Sequence, residues 1–196
     1  MIDLPMDLQQ KLRDELKANE KTIWAGQPDP NEMMKQAFKS YFIFIPMTLF
    51  VLFWMYGASG FKMPTFNFEN GFDLLSIVFP LFGLPFLMVA VWGLTSPVWA
   101  KRKAANTVYA ITNQRLLSLN FDKATKVESY YPKDVKQLER TEKADGSGDL
   151  LLAKNEYRDS EGDLHRETQI GFYAVKDVKN VERIVENFLK EHQLIK

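Results

Sequence analysis

Two uncharged runs decide how this chain is read: Ser40-Tyr-Phe-Ile-Phe-Ile-Pro-Met-Thr-Leu-Phe-Val-Leu-Phe-Trp-Met-Tyr-Gly-Ala-Ser-Gly-Phe61 and Leu74-Leu-Ser-Ile-Val-Phe-Pro-Leu-Phe-Gly-Leu-Pro-Phe-Leu-Met-Val-Ala-Val-Trp-Gly-Leu-Thr-Ser-Pro-Val-Trp-Ala100. They hold 22 and 27 residues without a charge. A helix needs about 20 apolar residues to cross the hydrocarbon core of a bilayer. Each run is therefore long enough to span, at about 40–60 and 76–99. The charges between Ser40 and Ala100 are confined to Lys62, Glu69 and Asp73. The expectation is a two-helix transmembrane hairpin. Neither span carries an ionisable residue, which argues against a proton relay or ion-coupled transport, where such groups mark the path. Gly57 and Gly60 are too close for a GxxxG contact, and Gly83 alone is a weak packing signal.

Orientation follows from Lys and Arg near the span ends. Lys35 and Lys39 precede the first span, and Lys101, Arg102 and Lys103 follow the second. The loop 62–73 has one Lys with Glu69 and Asp73. Both termini are expected in the cytoplasm, with the loop outside. Tyr41 and Trp99 suit the inner interface, Trp54 and Tyr56 the outer. Pro80, Pro85 and Pro97 predict kinks in the second span. The first apolar run starts too far in, and is too long, for the h-region of a signal peptide.

Outward from the hairpin, the division is residues 1–39, 40–100 and 101–196. Residues 3–19 read as a short amphipathic helix with Leu4, Leu8, Leu12 and Leu16 on one stripe, Asp3 as cap and Pro5 in the first turn. Its opposite face mixes acids and bases, which favours packing on a domain over lying on a membrane. Thr22-Ile-Trp24 favours a strand, stopped by Gly26, Pro28 and Pro30.

After Ala104 the pattern turns to period two. Thr107–Thr112 reads as a strand and Asn113-Gln114 as a turn, with Asn113 in the left-handed region. Arg115–Phe121 is its hairpin mate. Further strands are expected at Lys126–Tyr131, at 135–142, at Asp149–Tyr157 and at Leu164–Phe172, with turns at Ala144–Gly148 and Asp159–Gly162. Val175, Val178, Val181, Ile184, Val185, Phe188 and Leu189 then recur at helical spacing, with Asp177 near the start. The fold class is an α+β membrane protein. The hairpin carries an antiparallel sheet or barrel capped by a C-terminal helix.

Candidate chemistry is sparse. Gly146-Ser147-Gly148 lacks the G-x-S-x-G spacing of a nucleophile elbow. Asp159, Glu161 and Asp163 do not match a calcium loop. His165 and His192 form no H-E-x-x-H pair. There is no Cys and no phosphate-binding glycine loop. Residues 101–196 hold 18 Lys and Arg against 16 Asp and Glu, which is no basic footprint for nucleic acid. Neither a cofactor nor a metal is expected.

The order of segments resembles the membrane-anchored bacterial pleckstrin-homology-like family. A Glu-x-x-hydrophobic-Trp-x-Gly-x-Pro segment is matched by Glu20, Ile23, Trp24, Gly26 and Pro28. A Thr-x-Tyr-x-hydrophobic-Thr-x-x-Arg stretch is matched by Thr107, Tyr109, Ile111, Thr112 and Arg115. A glycine-containing turn follows, and Gly171-Phe172 through Leu189 resembles the terminal aromatic-then-helix segment. The resemblance implies a pleckstrin-homology-like barrel capped by the last helix, and no shared activity. Phosphoinositide sites of the eukaryotic relatives use several Lys and Arg at the first hairpin turn. Here that turn is Asn113-Gln114 with Arg115 beside it.

The expected function is non-enzymatic: a membrane-anchored domain at the bacterial inner membrane that binds another protein or assembles with itself. The alternative is a sensor of anionic lipid, and a weaker one a membrane enzyme. The candidate interaction or lipid-facing residues are Trp24, Lys101, Arg102, Lys103 and Arg115. The partners expected are the bilayer and a protein or second copy.

Overall fold

A computed structural model describes residues 2–59, 74–135, 137–158 and 164–192, with side chains omitted for 74–80 and 153–169. The loop 62–73, the turn at Asp159–Gly162 and the acids Glu161 and Asp163 lie outside the described residues, as does the side chain of His165. The chain divides into two compact units, Met1–Met33 with Lys101–Lys196, and Met34–Ala100.

The first unit is α+β with two antiparallel sheets. One holds β1 (Thr22–Gly26), β2 (Thr107–Thr112), β3 (Leu116–Phe121) and β4 (Thr125–Tyr130), in that order. The other holds β5 (Glu139–Glu142), β6 (Gly148–Arg158) and β7 (Leu164–Val175). β1 comes from before the uncharged runs and pairs with β2 from after them, Trp24 opposite Ile111 and Gly26 opposite Tyr109. The sheet is thus built from both sides of the hairpin, and the strand at Trp24 belongs to the same unit as residues 101–196.

β2 is buried along its whole length. Its odd and even positions point to opposite faces, and each face has its own core. Tyr109 and Ile111 join Trp24, Leu116, Leu150, Leu152 and Phe172. Val108 and Ala110 join Leu117, Leu119 and Phe121.

The helix α1 (Met6–Asp14) covers the second core with Leu8 and Leu12, and Leu4 joins from the turn before it. The packing face of the leucine stripe is therefore the sheet. Asp3 does not cap this helix. Its N–H donates to the Ala25 carbonyl at 3.1 Å, which keeps the chain extended there, and the helix starts after Pro5 with no side-chain cap.

The helix at Val178–Glu191, named α6 in chain order, closes the first core. Val178, Val181, Val185, Phe188 and Leu189 are all buried. Burying one such side chain stabilises by about 1.5–3 kcal/mol, so this stripe is the main clamp on the sheets. Asp177 caps the helix through Asn180 N–H.

Three local expectations change. Asn113 is not left-handed; among the described residues those with positive φ besides glycine are Asn19, Ala174 and Asp177. The turn is held instead by Thr112, whose hydroxyl accepts the N–H groups of Gln114 and Arg115 at 3.1 and 3.0 Å. β5 starts only at Glu139, because Pro132–Asp134 forms a 3-10 turn closed by Asp134 on the Tyr131 N–H. β7 runs on past Phe172 to Val175.

The second unit contains α2 (Pro30–Ala37) in part, α3 (Tyr41–Ala58), α4 (Leu74–Leu94) and the start of α5 (Ser96–Ala105). Pro30–Ala58 forms a 29-residue helix long and apolar enough to cross a membrane by length and composition. Leu81–Leu94 with Ser96–Ala105 meets the same test as a pair bent by 45°. α4 runs through Pro80 and Pro85 without interruption, and the break falls at Thr95, ahead of Pro97. Pro97 has no N–H and its ring crowds the carbonyl four residues back. At the break the Trp92 carbonyl accepts both the N–H and the hydroxyl of Thr95, at 3.0 and 2.7 Å.

α3 and α4 lie antiparallel. Tyr41 Oη donates to the Leu94 carbonyl at 3.0 Å, Ser40 and Ser96 share a hydrogen bond of 2.7 Å, and Trp54 meets Phe82 further along. Among the described residues of α4, Gly83, Ala90 and Gly93 are the buried seam. A Cβ at Gly83 would meet Met55 Sδ at 2.9 Å, and one at Gly93 would enter the Phe44 ring. Small residues at a seam let two helix backbones approach closely. The outer faces stay apolar: Phe42 is 86% exposed and Trp92 75%.

Candidate interaction surface

Glu20 and Arg115 form the polar centre of the first unit. Both are buried, the Glu20 side chain completely. Arg115 Nε and Nη2 donate to the two carboxylate oxygens, each at 2.9 Å. Nη1 donates to Ser129 Oγ at 2.7 Å and Nη2 also to the Glu15 carbonyl at 3.1 Å. Thr112 Oγ1 lies 2.8 Å from both Glu20 Oε1 and the Arg115 carbonyl, and the Lys17 N–H donates to Glu20 Oε2 at 2.8 Å. Burial pushes the Glu20 carboxyl up, but Arg115, the Lys17 N–H and Thr112 outweigh it and hold the group below its ordinary value. The hydrogen bond to Glu20 holds the guanidinium above its own.

Arg115, expected as a ligand-facing residue, is therefore engaged inside the fold. It ties the N-terminal segment to the first turn of the sheet. The sequence flagged the cation and gave no sign that Glu20 would neutralise it. The two motifs that carry the family resemblance meet here: Glu20 opens one, and Thr112 and Arg115 close the other.

Trp24 is also interior, at 8% exposure. Its ring stacks with Phe172 at 6.2 Å between centroids, and Phe172 stacks in turn on Tyr109 at 4.7 Å. Gly26 leaves room for it, since a Cβ there would lie 2.8 Å from Trp24 Cζ2. The Trp-x-Gly spacing is thus a packing device. Desolvation pushes the Tyr109 hydroxyl up to about 12.

Lys101, Arg102 and Lys103 are exposed on α5. Arg102 pairs with Asp122 at 3.1 Å in the β3–β4 turn. At surface exposure such a pair contributes about 0.2–1 kcal/mol. Of the five expected residues, these three stay at the surface, and Trp24 and Arg115 build the interior.

Ser147 donates to Asp145 Oδ1 at 2.6 Å and its N–H bonds the same oxygen, in a turn where Gly146 takes φ of 79°. His192 Nδ1 bonds the Phe188 carbonyl at 2.7 Å. Among the described residues no group of three or more His, Asp and Glu is placed to hold a metal ion. A cavity of about 500 Å3 lies beside Trp24, Gly26, Pro28, Lys176, Asp177 and Asn180. Asp3 and Asp177 are its acidic residues, and Asp177 is already engaged as the cap of α6. No family model, no curated protein and no solved structure matches this chain.

Proposed function

We propose that this chain is a non-enzymatic protein of the bacterial inner membrane. α3 and α4 cross the bilayer as an anchor. A pleckstrin-homology-like domain on the cytoplasmic side works through contact with another protein or with a second copy of itself. The observation that carries this reading is the pairing of β1 with β2. The chain leaves one compact unit after Met33 and returns to it at Lys101. A segment that starts and ends in one folded unit crosses a bilayer an even number of times. Two runs of spanning length supply two crossings.

Further support comes from the apolar outer faces of α3 and α4, which suit lipid and not water. Lys35, Lys39 and Lys101–Lys103 at the span ends favour cytoplasmic termini. Four strands, then three, then a capping helix agree with the pleckstrin-homology-like expectation. The strongest polar cluster, Glu20 with Thr112 and Arg115, is spent on the interior. Crosslinking of the full chain in native membranes, read by mass spectrometry, is expected to return links to a second copy or a partner protein. Links confined to single chains would contradict the reading.

A second reading, recognition of anionic lipid, has the exposed Lys101, Arg102 and Lys103 in its favour. Each basic residue near an anionic surface contributes about 1 kcal/mol. It requires the full chain to melt higher in bilayer discs containing anionic lipid than in neutral ones. Equal melting removes it.

A further inference from the structure

The two edges of the four-stranded sheet are treated differently. On the β1 side the N-terminal residues cover the edge: Ile2 forms a parallel bridge with Ala25, and the Asp3 N–H reaches the Ala25 carbonyl. On the β4 side, among the described residues, no backbone hydrogen bond reaches the outer edge. Thr125, Lys126 and Val127 are exposed there, Val127 by 38%. An open edge presents unpaired N–H and C=O groups, a ready template for another strand.

We propose that the outer edge of β4 pairs antiparallel with β4 of a second copy, about a two-fold axis through Val127. The inference deepens the self-assembly reading above and rests on it. The side chains around Val127 are self-complementary under that axis. Lys126 falls opposite the partner's Glu128, and Glu128 opposite the partner's Lys126. Thr125 falls opposite the partner's Ser129, and Val127 meets its own copy. Opposite charges, hydroxyl pairs and β-branched pairs are the combinations that stabilise facing positions in an antiparallel pair. Within one chain Lys126 Nζ already lies 2.6 Å from Glu128 Oε1. The two-fold therefore brings a +/− pair onto a −/+ pair. A shift of register by two residues would put like charges opposite each other, so the sequence selects this register. The two four-stranded sheets would become one of eight strands, an isologous interface of the kind closed dimers use.

The chain has no cysteine, so Val127→Cys introduces a single thiol on the axis. Facing residues in an antiparallel pair have Cα atoms about 4.5–5.5 Å apart, within the range a disulfide bridges. Oxidation of membranes holding the full-length variant is expected to give a disulfide dimer. Thr125→Cys places the two thiols four residues apart along the strands, about 13 Å, and is expected to stay monomeric. Adding Lys126→Glu to Val127→Cys should cut the dimer yield about tenfold, equivalent to about 1.4 kcal/mol. Adding Glu128→Lys as well should restore it. Equal linking by both thiols, or a charge swap that fails to restore the yield, overturns the axis. If amine crosslinking of the unmodified chain gives a dimer while Val127→Cys gives none, the edge is wrong and self-assembly stands. If neither gives a dimer, both fall.

Discussion

Arg115 holds both carboxylate oxygens of Glu20, each at 2.9 Å, across 95 positions of sequence that include the whole hairpin. The pair joins the segment before the two uncharged runs to the sheet after them. Its worth is asymmetric. Removing one partner strands a buried charge, whereas replacing both with apolar residues strands none.

Arg115→Met is therefore expected to cost about 3–5 kcal/mol of stability. Glu20→Leu with Arg115→Met should cost clearly less than Arg115→Met alone. Denaturant titrations of the detergent-solubilised chain, followed by circular dichroism, measure both. A double variant as unstable as the single one would show that the bidentate geometry itself is indispensable.

The same pair predicts a pH dependence. Glu20 is held below its unfolded value, so its contribution is present above the ordinary carboxylate range and is lost as pH falls through its lower, folded value. Melting temperature should drop on acidification across that window. Glu20→Gln should start lower near neutrality and lose less on acidification. Parallel curves for the two proteins would refute the assignment.

Ala174 sits at φ of 51°, buried, held by its N–H on Asp149 Oδ1 at 2.7 Å and by its carbonyl accepting from Asp29 N–H at 2.7 Å. An L-residue there carries strain of about 1–2 kcal/mol that glycine does not. Glycine's greater freedom when unfolded offsets about 0.5–1 kcal/mol of that relief. Ala174→Gly should leave the midpoint unchanged or raise it slightly, whereas Ala174→Val should lower it. A clear loss on Ala174→Gly would mean that the left-handed backbone is unstrained.

In the hairpin, Gly93→Leu drives a side chain into Phe44. Overpacking of this kind costs about 1–3 kcal/mol. Phe44→Ala should recover part of the loss, because the two residues share one space. Helix-pair integrity is read from a disulfide between cysteines at Ser40 and Ser96, whose hydroxyls are 2.7 Å apart in the native pair. Link formation should fall in Gly93→Leu and return in the double variant.

Local pattern made several elements legible. Val178, Val181 and Val185 of α6 and the strand Thr107–Thr112 stand where their periodicity put them, whereas Val175, expected in the helix, ends β7. What the pattern missed is non-local. β1 finds its partner only after the hairpin, and no window of sequence contains both strands. Trp24 and Arg115 looked like surface ligands because an aromatic and a lone cation read as exposed until Phe172 and Glu20 are placed beside them. Gly83 looked weak as a packing signal because its partners on the seam, Ala90 and Gly93, lie seven and ten residues on and not four. Asp3 and Asn113 had suitable side chains for a cap and a left-handed turn. Backbone pairing with Ala25 and with Lys21 overrode both.

On the proposed reading, a two-span anchor leaves from and returns to one cytoplasmic unit. Paired reporters test it most directly: alkaline phosphatase and a fluorescent protein, each fused at position 67 and at the C-terminus of the full chain. Active phosphatase and no fluorescence are expected at position 67, and the reverse at the C-terminus. The same response at both positions would contradict it.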